Sequence, residues 1–247
     1  MNETLNTIHR LRSIRNFSEK EITGSDLNTI LDAAVRAATA GMQQSYSIVV
    51  VEDKEILKEF FYNANKALVF CVDHNRLVDT AKHLDQIYIV DSLEAFVTGS
   101  IDTLLAAQTA AIAAKALEIE SLFTNSIHRT NFRIYEILNL PELYCFPLIT
   151  LCLGYRSKEP NHKKGRLRNV GIIHYNKYQK LSTEELNKII KEYDNEENNL
   201  TFVKWKEKGF NHYLDWYFTE CFTPVDTPET KEITETFYTT LKKVHYL

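Results

Sequence analysis

The stretch from Gly99 to Leu117 constrains the fold most, because it favours a helix and is apolar on nearly every side. Ser100 is expected to cap this helix, and Asp102 to lie in its first turn, where a carboxylate suits the helix dipole. Polar residues interrupt the stretch too often for a membrane span. We predict a buried core helix, which lies either at the centre of an all-α core or between its own sheet and a partner subunit. One face carries mostly larger residues and the other mostly small ones: Ile101, Leu104, Leu105, Ala111 and Ile112 against Ala106, Ala110, Ala113, Ala114 and Leu117.

Composition describes an ordinary globular protein. The chain has 247 residues, of which 44% are hydrophobic and 25% charged, so it is long enough for one large domain or two small ones. Its net charge of −4 argues against a general nucleic-acid binder. Four cysteines without metal-ligand spacing predict buried free thiols in a reducing cytosol. With no apolar signal core at the N-terminus, we expect a soluble, cytoplasmic protein.

Three β-branched or apolar runs predict strands, at Tyr46–Glu52, Ala67–Asp73 and Phe146–Tyr155, while Ser121–Ser126 is either a strand or a loop. Between them the pattern indicates an α/β or α+β sheet. No GxGxxG motif follows a strand, which excludes a dinucleotide-binding doubly wound fold. Helices are predicted at Thr4–Leu11, from Ser25 to near Gly41, from Asp53 to about Tyr62, at Leu77–Leu93, at Thr130–Asn139, from a Ser182 cap to about Tyr193, and from Thr227 to about Val244.

Two basic stretches are candidate anion sites. In HRLRSIRNF, residues 9–17, three arginines surround Ser13, an arrangement that can grip a phosphate without a glycine loop. The stretch KKGRLR, residues 163–168, is by itself typical of a solvated loop. A third stretch, residues 201–218, interleaves aromatic residues with lysines, and its acidic flanks favour a packing arm or a cofactor-site lid over a nucleic-acid site.

The order of these pieces carries a resemblance to a known family. RSIRNF, TAGMQQSYSIVVVED, DTLLAAQTAAIAAKALEIESLF, LNLPE and PLITLCLGY follow one another as in the nitroreductase family of FMN-dependent oxidoreductases. The continuation KKGRLRNVGIIHYNKY is similar to the tail of the oxygen-insensitive NADPH nitroreductase and flavin reductase branch. The resemblance covers roughly residues 8 to 180, and the elements keep their order and spacing.

This resemblance implies an α+β fold in which helices flank a central, mostly antiparallel sheet around the long buried core helix. It also implies an intertwined homodimer with two FMN sites at the subunit interface, each built from both chains. Residues 1–247 would form a single nitroreductase-like domain, with a C-terminal helical extension from about residue 180.

Matched position by position, the family assigns one group of residues to the phosphate and the pyrimidine ring of FMN. Ser13 matches the serine on the phosphate side, and Arg15 matches the basic residue beside the pyrimidine ring. There a cation stabilises the negative charge of the reduced flavin. Arg12 matches a basic position of this branch. Lys164 and Arg166 match a basic pair that closes on the phosphate from downstream.

A second group is implied to run along the flavin. A small loop contributed by the other subunit matches Thr39, Ala40, Gly41 and Gln44. Asn125 and Ser126 occupy the place where many relatives present backbone to flavin N5. Leu11 departs from the pattern, because relatives carry a basic residue there, and one phosphate ligand is missing.

The implied activity is hydride transfer from NADPH or NADH through FMN to nitroaromatics, quinones or free flavin, by a ping-pong mechanism. The flavin carries the chemistry, so no catalytic side chain and no metal is assigned. The expected partners are a second copy of the chain and small-molecule electron acceptors. Binding to nucleic acid or to a membrane is not expected. The weakened phosphate position leaves an alternative open, a non-catalytic relative that binds a flavin or nucleotide.

Overall fold

The computed structural model describes residues 2–90, 92–125, 133–159, 164–167, 170–198, 200, 203–221 and 228–247. The chain divides into two compact units. The first comprises Met1–Glu159 together with Glu232–Leu247, and the second comprises Pro160–Lys231.

The first unit is built on a four-stranded antiparallel sheet with the order β1-β2-β4-β3. β2 is central and buried along six consecutive residues, which explains why its sequence is a continuous apolar run instead of an alternating one. The three predicted strands are confirmed to within one residue, and the fourth candidate is a strand. Their bounds are β1 Tyr46–Val51, β2 Lys66–Asp73, β3 Glu120–Thr124 and β4 Cys145–Gly154.

Helices flank this sheet, as the α+β prediction requires. The prediction of a helix over Leu77–Leu93 is wrong, because the observed helix ends at His83 and Asp85 adopts a left-handed φ of 54°. The second helix also ends at Ala34, short of Gly41. The helices are α1 Glu3–Arg10, α2 Gly24–Ala34, α3 Lys54–Phe60, α4 Asn75–His83, α5 Leu93–Ala116, α6 Arg133–Leu138, α7 Thr183–Asp194, α8 Tyr213–Trp216 and α9 Pro228–Lys243.

The core helix α5 is longer than predicted and starts earlier. Ser92 caps it by accepting a hydrogen bond from the Ala95 N–H, so the cap assigned to Ser100 and the first-turn position assigned to Asp102 are both wrong. The sequence Leu93–Thr98 is apolar enough to continue the helix upstream, and only the Ser92 cap marks where it begins.

The small face of α5 packs as predicted, and the larger face does not. Alanines of the helix lie against side chains of β2 and β4 in one core cluster, and Ala111 belongs to this face and not to the larger one. In contrast, Ile101 is 54% exposed, and Leu104 and Leu105 are also exposed. Among the described helices, only α5 is long and apolar enough to cross a membrane, a test that core helices also pass. The buried alanines are Ala106, Ala107, Ala110, Ala111 and Ala114.

The second unit contains α7, α8 and an aromatic cluster of its own. Ser182 and Glu185 form the predicted capping box of α7. Trp205, Tyr213 and Trp216 are buried together, so in this unit the aromatic residues of 203–218 pack against one another. Of the four thiols, three are buried as expected, and Cys221 is exposed, which corrects the prediction for that residue.

Candidate functional site

The arginine-rich segment near the N-terminus lies along the edge strand β3. Ser13 forms a parallel bridge with Ser121, and the Ile14 N–H donates to the Ser121 carbonyl at 3.0 Å. Ile14 is buried, whereas its neighbours Ser13 and Arg15 are exposed. Alternation along extended backbone therefore presents the hydroxyl and the guanidinium of these two residues on the same outward face.

Arg12 belongs to a chain of ion pairs that begins inside the core. Buried Glu120 accepts from Lys115 Nζ at 2.9 Å and from Arg156 Nη1 at 2.6 Å, both on its Oε1 atom. Arg156 Nε reaches Glu159 Oε2 at 2.6 Å, and Glu159 Oε1 in turn accepts from Arg12 Nη2 at 2.5 Å. We call these five residues the charge chain. It links the C-terminal end of α5 to the predicted phosphate segment.

A buried carboxylate holds the predicted flavin loop, residues 39–45. Asp102 on α5 is 1% exposed and accepts three hydrogen bonds from this loop. They come from Thr39 Oγ1 at 2.6 Å, the Ala40 N–H at 2.9 Å and the Ser45 N–H at 3.3 Å. Sequence reasoning missed this role, although the single carboxylate of the predicted stretch Gly99–Leu117 was a usable signal, because a buried charge needs partners.

The same loop turns sharply and is fixed from a second side. Gly41, Met42 and Gln44 have φ values of 54°, 56° and 48°, in the left-handed region where glycine costs least. Arg76 Nη2 donates to the carbonyls of Gln43 at 2.7 Å and Gln44 at 2.8 Å. The predicted loop is therefore held by Asp102 on one side and by Arg76 on the other.

Of the four remaining predicted residues, the structure describes three, and all three are exposed. Asn125 directly follows β3 and is exposed, and Ser126 lies outside the described residues. Lys164 and Arg166 belong to the second unit, where both are exposed. Between them, Gly165 passes so close to the Asn198 carbonyl that a Cβ atom would stand 1.9 Å from its oxygen, so the backbone that carries this basic pair packs tightly against Asn198.

Within one chain, the two groups of the first unit lie at opposite edges of the sheet. Residues 12–15 run beside β3, whereas the loop 39–45 leads into β1 at the other edge. Four strand spacings of about 4.8 Å separate them by roughly 19 Å across the sheet. Asn125, at the end of β3, lies on the same edge as Ser13 and Arg15.

Comparison with known proteins gives a consistent result. The Nitroreductase family model matches residues 8–155. An FMN reductase (NADPH) of Bacillus subtilis strain 168 is 29% identical over 207 residues, covering 78% of this chain and 81% of the relative. An NADPH-flavin oxidoreductase of Vibrio harveyi is 30% identical over 195 residues, covering 75% and 79%.

Solved structures agree on the fold. A Bacteroides fragilis chain described as an oxidoreductase superposes with a TM-score of 0.82 at 28% identity, covering 98% of this chain and 100% of that one. The α+β, nitroreductase-like architecture expected from the sequence is therefore confirmed for this chain.

Proposed function

Because the chain belongs to the nitroreductase family, we propose that it is an FMN-dependent oxidoreductase that passes hydride from NADPH or NADH to nitroaromatics, quinones or free flavin. The family match carries this proposal, and the described site supports it. The two relatives compared above are named an FMN reductase (NADPH) and an NADPH-flavin oxidoreductase, names that fit this reaction. The same family resemblance supports a cytoplasmic protein in which residues 1–247 work as one functional domain, extended by helices from about residue 180.

The donors of the phosphate segment suit an anionic cofactor. Ser13 and Arg15 present a hydroxyl and a guanidinium outward from one face, and such groups bind phosphate and delocalised negative charge. FMN would supply the hydride-accepting ring. Arg15 would stabilise the charge on its pyrimidine, while Ser13 and Arg12 would hold the phosphate. The assignment of Lys164 and Arg166 to the phosphate rests on the family resemblance alone and stays a prediction.

We propose that the second half of each site comes from a second copy of the chain. The loop with Thr39, Ala40, Gly41 and Gln44 lies at the opposite sheet edge from Ser13, so one flavin does not reach both groups easily within one chain. The exposed apolar side chains of α5 supply a surface that a second copy would cover, and covering apolar area is worth about 25 cal/mol per Å². These side chains include Leu93, Val97, Ile101, Leu104 and Leu105.

Steady-state kinetics test the proposed reaction. In a ping-pong mechanism NADPH and the acceptor use one site in turn, so double-reciprocal plots at several quinone concentrations are expected to be parallel. Protein stripped of FMN is expected to lose this activity and to regain it when FMN is restored. Intersecting lines would contradict the ping-pong order, and no FMN-dependent oxidation of NADPH would contradict the proposed activity.

A charge added at Leu11 tests the phosphate position. Leu11 is half-buried at the end of α1, at a position where the family resemblance implies a basic residue. We expect Leu11→Arg to tighten FMN binding by about 1.5 to 3 kcal/mol, since it adds a charge-assisted contact. Titration of FMN and riboflavin into stripped protein measures the effect, and riboflavin, which has no phosphate, should gain little. Leu5→Arg adds the same charge on the same helix as a control.

Equal gains for both flavins would show that the effect of Leu11→Arg does not act at the phosphate. An equal gain from Leu5→Arg would show that overall charge, and not position, is responsible. The alternative, a non-catalytic relative that binds a flavin or nucleotide, also depends on Leu11, because weak binding of the phosphate is the feature that favours it.

A further inference from the structure

The outer carboxylate of the charge chain, Glu159, is paired with a predicted FMN ligand, Arg12. Both oxygens of Glu159 are engaged, Oε1 with Arg12 and Oε2 with Arg156. The pKa of Glu159 is held below its ordinary value, first by the hydrogen bond from Arg12. The carboxylate is therefore charged at neutral pH and competes with any other anion for this guanidinium.

The position of Glu159 is fixed from the interior. Glu120, 2% exposed, is charge-paired with Lys115, which is 3% exposed, and it also anchors Arg156. Arg156 reaches outward to Glu159 with its Nε atom. Because a planar guanidinium binds two carboxylates in fixed directions, this bridge restricts where the Glu159 carboxylate can lie.

The net charge of the charge chain determines how strongly it attracts a phosphate. The five residues of the charge chain carry three positive and two negative charges, a net charge of +1. A phosphate that approaches Arg12 gains the attraction of that guanidinium but meets the Glu159 carboxylate beside it. Neutralising Glu159 alone would raise the local net charge to +2 and would free the Arg12 Nη2 donor.

We propose that Glu159 is an internal competitor of the FMN phosphate: it occupies Arg12 in the flavin-free protein and so sets a weak, exchangeable affinity for FMN. This inference rests on the proposed function, because it assigns Arg12 to the phosphate. It agrees with Leu11, where a basic residue of the family pattern is missing. Both features lower the affinity for the phosphate while leaving the flavin ring contacts unchanged.

The test is FMN affinity of stripped Glu159→Gln protein, followed by quenching of flavin fluorescence. We expect FMN to bind about twofold to fivefold more tightly than to the wild type, as removal of a partly exposed ion-pair partner allows. Riboflavin affinity should not change. Glu59→Gln is the matched control, because it neutralises a carboxylate in another exposed ion pair of the first unit, with Arg133.

A double-mutant cycle assigns the effect to Arg12. In an Arg12→Gln background, Glu159→Gln should tighten FMN binding much less, because the Arg12 guanidinium is no longer there to be released and only the loss of the carboxylate's repulsion remains. Unchanged or weaker FMN binding by Glu159→Gln would overturn the inference, and so would an equal gain in the Arg12→Gln background. If the wild type binds FMN and only these comparisons fail, the proposed function stands; if no variant binds FMN, the proposed function fails as well.

Discussion

Replacing Asp102 with alanine is expected to lower the free energy of unfolding by about 3 to 5 kcal/mol and to abolish stable FMN binding. Each hydrogen bond to a charged group contributes about 1.5 to 3 kcal/mol, and three end on this carboxylate. The expected loss is smaller than the sum of three such bonds, because Ala40 is exposed and its N–H can donate to water instead. Ser45 is fully buried, so its N–H would be left without an acceptor.

Urea unfolding of the purified protein measures the stability of Asp102→Ala, with Asp32→Ala on the exposed side of α2 as the control. Asp102→Asn keeps an acceptor oxygen, so its free energy of unfolding should lie between those of the wild type and Asp102→Ala. A loss below about 1 kcal/mol for Asp102→Ala, the size of a surface substitution, would show that the loop 39–45 does not depend on this carboxylate.

Replacing Glu120 with leucine is also expected to lower the free energy of unfolding by about 3 to 5 kcal/mol, because it leaves the ammonium of Lys115 buried and uncompensated. Lys115→Met should cost less, since Arg156 still pairs with Glu120. The double variant Lys115→Met with Glu120→Leu should recover at least half of the loss, because well-packed apolar residues can replace a buried pair.

Chemical unfolding of the three variants completes this cycle. Glu120 Oε2 is buried without a hydrogen-bond partner among the described residues, so the carboxylate already carries a desolvation cost that leucine removes. Strictly additive losses in the double variant would contradict the interpretation of Lys115 and Glu120 as a mutually dependent buried pair.

The fold was predictable where local pattern and burial agree. β2 and β4 are continuous apolar runs, which only a strand covered on both faces tolerates, and their limits are correct to one residue. The start of α5 was missed, since apolar residues fill the sequence on both sides of the predicted start at Gly99 and the deciding cap, Ser92, is a single hydrogen bond.

The site was predictable only in part, because its supporting contacts are non-local. Family resemblance assigns Arg12 and the loop 39–45 to the site, but not the carboxylates that contact them. Asp102 contacts residues about 60 positions away in sequence, and Glu159 contacts Arg12 across 147 positions. Neither pairing leaves a spacing signal in a single sequence, although the partners of Asp102 could be suspected once its burial is known.

Mixing the FMN-loaded protein with NADPH in the absence of oxygen tests the central claim most directly. The account predicts that the yellow absorbance of oxidised FMN disappears in a single half-reaction and returns when a quinone is added. Protein that binds FMN but stays yellow with NADPH and NADH would be a flavin binder and not an oxidoreductase. That result, or a colourless protein that takes up no FMN, would contradict the account.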